Sequence, residues 1–195
     1  MGKQEEIKFF NDQAKVWDNK ITQEHIKVAK DFISEYNIGA NNAVLDVGAG
    51  TGIIYTIIDN KNLTDYVGID IAENMVKEFR KKHPEADIRC DDFELECQLE
   101  KAFDFVIIFD GIPHFRNLSK LFENAYNNLN KNGKFIIVHS KTRKEFKANQ
   151  EKNGYNSEKS LIPTDAELIY HSKEKSFTNI IVEDDRYFKF VCEKN

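Results

Sequence analysis

The nine residues Val44-Leu45-Asp46-Val47-Gly48-Ala49-Gly50-Thr51-Gly52 constrain this chain more than any other stretch. An apolar strand runs into a loop with glycine at alternate positions, and an acid stands just before the loop. Glycine lets a backbone turn with positive φ and lets a ligand approach within van der Waals contact. A dinucleotide site needs Gly-x-Gly-x-x-Gly, whose last glycine admits close helix–strand packing and turns a helix N-terminus toward a pyrophosphate. Here Ile53 occupies that last position. Asp46 would repel a pyrophosphate, whereas a carboxylate suits a ligand that carries positive charge.

Signals for strands and helices alternate from about residue 22 to about residue 140, which predicts βαβ units on a mainly parallel sheet. Ile26, Val28, Ala29, Phe32, Ile33 and Tyr36 give an amphipathic helix before the first strand, with Gly39 at the usual place for a left-handed cap. Val44–Val47 is the first strand, and Ile53–Ile58 opens a helix that should end near Lys61. Tyr66–Ile71 and Ala86–Cys90 read as the second and third strands, flanking a helix from Glu73 to Lys82. The nearly continuous apolar run Phe103–Phe109 has the character of a central strand buried on both faces. A helix follows on Leu118, Leu121, Phe122, Ala125, Tyr126 and Leu129, then a turn at Gly133 and a fifth strand, Phe135–His139. Beyond it, Lys141 to Asn153 reads as a polar helix broken by Gly154. Thr164 and Glu167 have capping-box spacing for a helix from Asp165 to about Lys173. Thr178–Glu183 and Arg186–Cys192 form a closing antiparallel hairpin. The expected fold class is therefore α/β: one doubly wound, mostly parallel seven-stranded sheet with a C-terminal antiparallel hairpin. Residues 1–195 form a single domain. Residues 1–40 supply N-terminal helices or a lid, 41–140 the cofactor-binding core, and 141–195 acceptor-side helices and the hairpin.

Composition narrows the setting. A length of 195 residues suits one domain with a sizeable core. No run of about 18 apolar residues suggests a membrane span, and the first residues lack an apolar segment of leader length. Cys90, Cys97 and Cys192 form no CxxC pair and are odd in number, which favours reduced thiols in a cytoplasm. A net charge of −5 argues against a nucleic-acid partner. The Lys- and Arg-rich stretch 131–160 is read first as a solvated face. No His/Asp cluster points to a metal.

S-adenosylmethionine carries an ammonium and a sulfonium and no phosphate, and Val44–Gly52 resembles motif I of the class I S-adenosylmethionine-dependent methyltransferases. Asp46, Gly48, Gly50 and Gly52 are the matching positions. Asp70, about twenty residues after the loop, can accept from both ribose hydroxyls and matches the family's ribose acid. Ile71 matches the apolar residue beside the adenine. Cys90-Asp91-Asp92-Phe93 stands where the family commonly has Gly-Asp-Ala, so the resemblance implies that Asp91 or Asp92 takes the adenine amino group, with Phe93 beside them. NAD enzymes share the ribose acid, so Asp70 does not separate the two cofactors.

Phe103–Phe115 resembles the motif IV region of the small-molecule subgroup typified by quinone-biosynthesis methyltransferases. The backbone around Phe109 and Asp110 would then hold the cofactor's amino group, and Asp104 would be structural. His114 matches a subgroup histidine that could take a proton from an acceptor or only shape the pocket. Phe9–Asp18 resembles the same subgroup's lead-in, which folds as a lid and would set Trp17 near the sulfonium, where an aromatic face attracts a cation. An ordinary amphipathic N-terminal helix is the alternative. His139 and Arg143 leave the carboxyl edge of the fifth strand, where one helix turn could aim both inward and give Arg143 to an anionic acceptor. No Asn-Pro-Pro-Tyr motif follows the fourth strand and no Pro-Cys pair is present, which disfavours acceptors such as base exocyclic nitrogens, glutamine amides and pyrimidine carbons. The expected function is methyl transfer from S-adenosylmethionine, leaving S-adenosylhomocysteine, to a small-molecule acceptor. A non-catalytic S-adenosylmethionine-binding sensor or partner subunit is the main rival, and a tRNA or protein methyltransferase a weaker one.

Overall fold

A computed structural model describes residues 2–58, 62–152 and 161–195. Seven strands lie in the order β3-β2-β1-β4-β5-β7-β6. They are β1 (Ala43–Val47), β2 (Asp65–Asp70), β3 (Asp87–Cys90), β4 (Phe103–Phe109), β5 (Leu129–His139), β6 (Phe177–Asp184) and β7 (Phe188–Lys194). The first five run parallel to one another, and β7 is antiparallel to both β5 and β6.

Side chains alternate across a strand, and β1, β2, β4, β5 and β7 each feed two cores. Leu45, Val67, Val106 and Ile137 point to one face, where α5 (Leu118–Asn128) and α7 (Asp165–Glu174) bring Leu121, Phe122, Ala125 and Leu168. Val44, Tyr66, Ile107 and Ile136 point to the other. There α2 (Gln23–Glu35), α3 (Ile53–Ile58) and α4 (Glu73–Lys82) add Phe32, Ile33, Ile54 and Phe79. Two covered faces explain the unbroken apolar run of β4. The capping box at Thr164 and Glu167 forms as its spacing implies. Asp104 is structural: it takes the amide of Ala43 at 2.9 Å and the side-chain amide of Asn130 at 2.9 Å, joining β1, β4 and β5 at their starts.

Two turn assignments change. The left-handed residue after α2 is Asn37, φ 51°, not Gly39. The amides of Asn37 and Ile38 reach back to the carbonyls of Ser34 and Ile33 at 3.1 and 2.9 Å, the paired bonds of a Schellman cap. Asparagine tolerates that conformation, so the helix ends two residues early. Gly133 is not in a turn outside the strand. β5 starts at Leu129, directly after α5, and absorbs a register shift opposite Phe103–Phe105. A Cβ at Gly133 would stand 2.9 Å from the carbonyl oxygen of Asn130, so only glycine fits that crowded step. The expected ends near Lys61 and Gly154 lie outside the described residues. A further helix, α6 (Arg143–Lys152), follows β5. Before the sheet lie α1 (Lys3–Gln13) and a 3-10 helix, Ala14–Lys20. Among the described residues no helix is long and apolar enough to cross a membrane.

Candidate active site

At the carboxyl ends of β1, β2 and β4 lies a cavity of about 320 Å³. β1 is flanked by β2 and β4, so the strand order reverses there, the position where open α/β sheets bind ligands. The wall from β1 is the glycine loop, in which Gly48, Gly50 and Gly52 all have positive φ. Gly48 and Gly50 line the cavity; Gly52 does not. A Cβ on Gly52 would meet the Phe79 ring at 2.9 Å, so this glycine lets the loop pack on α4 instead of approaching a ligand.

Asp70 closes the opposite wall. Its Oδ2 takes the Gly50 amide and its Oδ1 the Ala72 amide, both at 2.8 Å. Burial pushes the Asp70 carboxyl above its usual range, while those two amides pull it back. The carboxylate thus fixes the glycine loop and still lines the cavity with Ile71, Asp91, Asp92 and Phe93. Phe109, Trp17 and His114 line it too.

Besides Gly52, two residues expected at the ligand lie elsewhere. Asp46 is buried under the loop and does not line the cavity. It accepts the Tyr66 hydroxyl at 2.8 Å, and burial pushes its carboxyl up to about 7 against the pull of that bond. Its charge therefore serves the loop's foundation instead of touching a cation. Arg143 is not inward-facing either. Its Nε and Nη2 donate to the Pro163 carbonyl at 2.9 and 2.6 Å, its Nη1 pairs with Asp165 at 2.7 Å, and its guanidinium sits 4.4 Å over the Phe188 ring. Among the described residues of 141–164, none lines the cavity.

The roof comes from the N-terminus instead. Phe10 packs edge-on against both Trp17, at 5.5 Å, and His114, at 4.8 Å. Asn11 accepts two hydrogen bonds from Asn74 of α4, at 2.8 and 3.1 Å. Asp18 accepts from the Thr51 hydroxyl of the glycine loop at 2.6 Å and pairs with Lys82. The roof is therefore tied to the loop and to α4 at separate points.

Among the cavity side chains that the sequence reading did not assign are those of Glu6 and His25, and that of Asp110, of which only the backbone was expected there. Glu6 is buried on the same helix face as Phe10 and Ala14, and an acid at an apolar-stripe position was the available signal. His25 sits in the first turn of α2, where it completes the cap of Thr22. Asp110 follows β4 with φ 55°, and its side chain lines the cavity. Its Oδ1 takes the Ser140 amide at 2.7 Å, with His139 Nδ1 at 3.5 Å. Its Oδ2 is buried without a hydrogen-bond partner among the described residues, with His25 Nε2 3.9 Å away. Burial lowers the pKa of His139 despite that acid, which favours its neutral form.

Residues 45–137 match the family described as a methyltransferase domain. That stretch is just under half of the 195 residues, and over it the chain is similar to S-adenosylmethionine-dependent methyltransferases. The match spans β1 through most of β5, so it contains the glycine loop, Asp70 and the Asp110–His114 segment. A protein of Invertebrate iridescent virus 6 named "Putative methyltransferase 235L" is 27% identical over 111 residues, which are 56% of this chain and 42% of the viral protein. The phosphoethanolamine N-methyltransferase of Plasmodium falciparum is 25% identical over 172 residues, 86% of this chain and 59% of that enzyme. The chain thus spans about half the length of these relatives. Among solved structures, a Thermotoga maritima protein titled S-adenosylmethionine-dependent methyltransferase, "possible histamine N-methyltransferase", superposes with a TM-score of 0.73 at 15% identity, covering 95% of this chain and 98% of the other. The matched residues supply β1 to β5, α3, α4 and α5, and the cavity lies at the carboxyl ends of strands within that stretch.

Proposed function

We propose that this protein transfers the sulfonium methyl of S-adenosylmethionine to a small molecule, and that the accepting atom is an amine nitrogen. The observation that carries the amine assignment is Asp110 Oδ2, a buried carboxylate oxygen of a cavity-lining residue that has no hydrogen-bond partner among the described residues. A buried charge without a hydrogen bond is costly, and an ammonium or amine N–H satisfies it. The names of two similar proteins, a phosphoethanolamine and a possible histamine N-methyltransferase, support the same acceptor class.

In this reading Asp70 holds the ribose, Asp91 or Asp92 the adenine amine, and Ile71 and Phe93 flank the ring. Trp17 and Phe10 cover the sulfonium, with residues 1–40 as the lid and 41–140 as the cofactor core. S-adenosylmethionine supplies an activated methyl when bound. The protein then contributes alignment, which by proximity alone can supply roughly 7–11 kcal/mol, and exclusion of water. His114 takes the proton that the amine must lose.

Calorimetric titration with S-adenosylmethionine, S-adenosylhomocysteine and NAD tests the first half. The two sulfur compounds should bind and NAD should not. Release of S-adenosylhomocysteine with phosphoethanolamine, ethanolamine and histamine as acceptors, against catechol as an oxygen acceptor, tests the second. Turnover of catechol with none of the amines would overturn the amine assignment.

A further inference from the structure

The buried residue of α1 is an acid, Glu6, with 5% of its surface exposed. A helix that docks through a carboxylate must find partners for it, and both lie on the segment after β4. Arg116 reaches Glu6 Oε2 with Nη2 at 2.9 Å and Nε at 3.3 Å. On the other side His114 Nδ1 is 3.6 Å from Glu6 Oε1. Burial pushes the Glu6 carboxyl up, and His114 and Arg116 together pull it below the usual range.

The His114 ring is divided by its surroundings. Nδ1 is shut off from solvent and, among the described residues, has no hydrogen-bond partner; the Glu6 carboxylate stands just beyond that range. The side chain as a whole remains 39% exposed and lines the cavity, so its open part is the edge remote from Nδ1. A neutral imidazole carries one N–H, and the hydrogen bond at one nitrogen decides which nitrogen keeps a free lone pair. A carboxylate beside Nδ1 accepts a proton there and cannot donate one.

We propose that Glu6 is a positioning residue for His114: it accepts the Nδ1–H, selects that tautomer, and leaves Nε2 as the lone-pair nitrogen facing the acceptor. This rests on the reading of the cavity as a methyl-transfer site. In the reaction the amine lone pair forms the new N–C bond and the S–C bonding pair stays on sulfur, which becomes a neutral thioether. The proton leaving the amine nitrogen passes to Nε2, and the resulting imidazolium lies beside the Glu6 carboxylate. Because Glu6 belongs to α1, the proton acceptor is complete only with α1 in place. A second tie acts on the same segment: Lys3 pairs with Glu94 at 3.0 Å, and Glu94 also takes the amides of Arg116 and Asn117. Closing the roof and arming the histidine are thus one structural event.

The test reads the tautomer directly and needs no acceptor. The full chain, labelled with nitrogen-15 in its histidine rings and saturated with S-adenosylhomocysteine, is examined by multiple-bond proton–nitrogen NMR. The pH is set about two units above the ordinary histidine range so that imidazoles are neutral. His114→Asn identifies the resonance among the five histidines. In the wild type His114 should show the Nδ1–H pattern. Glu6→Leu should return it to mainly Nε2–H, while Arg116→Met, which keeps the carboxylate, should preserve Nδ1–H. An Nε2–H pattern in the wild type overturns the proposal even if Glu6→Leu fails to fold, as does an unchanged pattern in a folded Glu6→Leu. Should the methyl-transfer reading itself fail, S-adenosylhomocysteine binding and turnover would be lost while the tautomer of the unliganded protein still reports on Glu6.

Discussion

Tyr66 donates its hydroxyl hydrogen to Asp46 Oδ2 at 2.8 Å, linking neighbouring strands β1 and β2 beneath the glycine loop. Both side chains are buried, and Tyr66 stacks on Phe79, the ring that also fills the space under Gly52. The motif acid, its tyrosine partner and the last loop glycine therefore form one packed unit behind the ligand-facing surface.

That unit predicts a pH effect on stability. Burial raises the folded Asp46 carboxyl to about 7, against roughly 3.9 for an unfolded aspartate. The folded state holds this proton more tightly, so the contribution is full below about pH 4 and disappears as pH rises through 7. Its upper bound is roughly 4 kcal/mol, at 1.36 kcal/mol per unit. Asp46→Asn mimics the protonated acid and keeps an acceptor for Tyr66. Relative to wild type its melting temperature should gain little at pH 5 and more at pH 8, the gap widening by several degrees between the two. Equal melting temperatures at both pH values would show that Asp46 does not titrate in this range. Affinity for S-adenosylhomocysteine should stay within about threefold, because Asp46 does not line the cavity.

Asp70 behaves differently, because it faces the cavity and also takes the Gly50 and Ala72 amides. Asp70→Ala removes charge-assisted hydrogen bonds worth roughly 1.5–3 kcal/mol, so affinity for S-adenosylmethionine should fall about 10- to 100-fold by calorimetry. Asp70→Asn keeps an acceptor for only one of the two amides and should fall between. Unchanged affinity in the alanine variant would remove Asp70 from the cofactor site.

The layout of the sheet was legible because each element announced itself locally. Phe103–Phe109 read as a central strand from its composition, and Thr164 with Glu167 read as a helix start from spacing. The exceptions were residues whose role depends on distant partners. Asn37 competes with Gly39 for the same cap, and only the tertiary path chooses. Asp46 carried a recognisable position, but its orientation follows from Tyr66, twenty residues away. Arg143 lay at a ligand-binding edge by sequence, yet Pro163, Asp165, Asp184 and Phe188 gather around it only in the folded chain. Asp110 and Glu6 stood out least, since an acid in a loop and an acid in a helix are ordinary until burial is known.

Arg143 is accordingly expected to matter for stability and not for turnover. Arg143→Ala deletes two bonds to the Pro163 carbonyl, the pair with Asp165 and the stack on Phe188. A loss of roughly 1.5–3 kcal/mol corresponds to a drop of about 3–10 °C in melting temperature for a chain of this size. S-adenosylhomocysteine affinity should be unchanged. A large fall in acceptor KM performance without loss of stability would return Arg143 to the site.

Asp110 offers the sharpest separation between cofactor and acceptor. Its Oδ2 lacks a hydrogen-bond partner among the described residues, and two ammonium groups could supply one: that of S-adenosylmethionine and that of an amine acceptor. The Ser140 amide already holds Oδ1 at 2.7 Å, and His25 and His139 flank the carboxylate. Asp110→Asn keeps the size and the bond to Ser140 while removing the charge. If Oδ2 receives the acceptor, S-adenosylhomocysteine affinity stays within about threefold. Over the same substitution kcat/KM for the amine falls about 10- to 100-fold, the loss of one charged hydrogen bond. A loss of that size in S-adenosylhomocysteine affinity instead assigns the carboxylate to the cofactor's own ammonium. The amine assignment would then lose the observation that carries it.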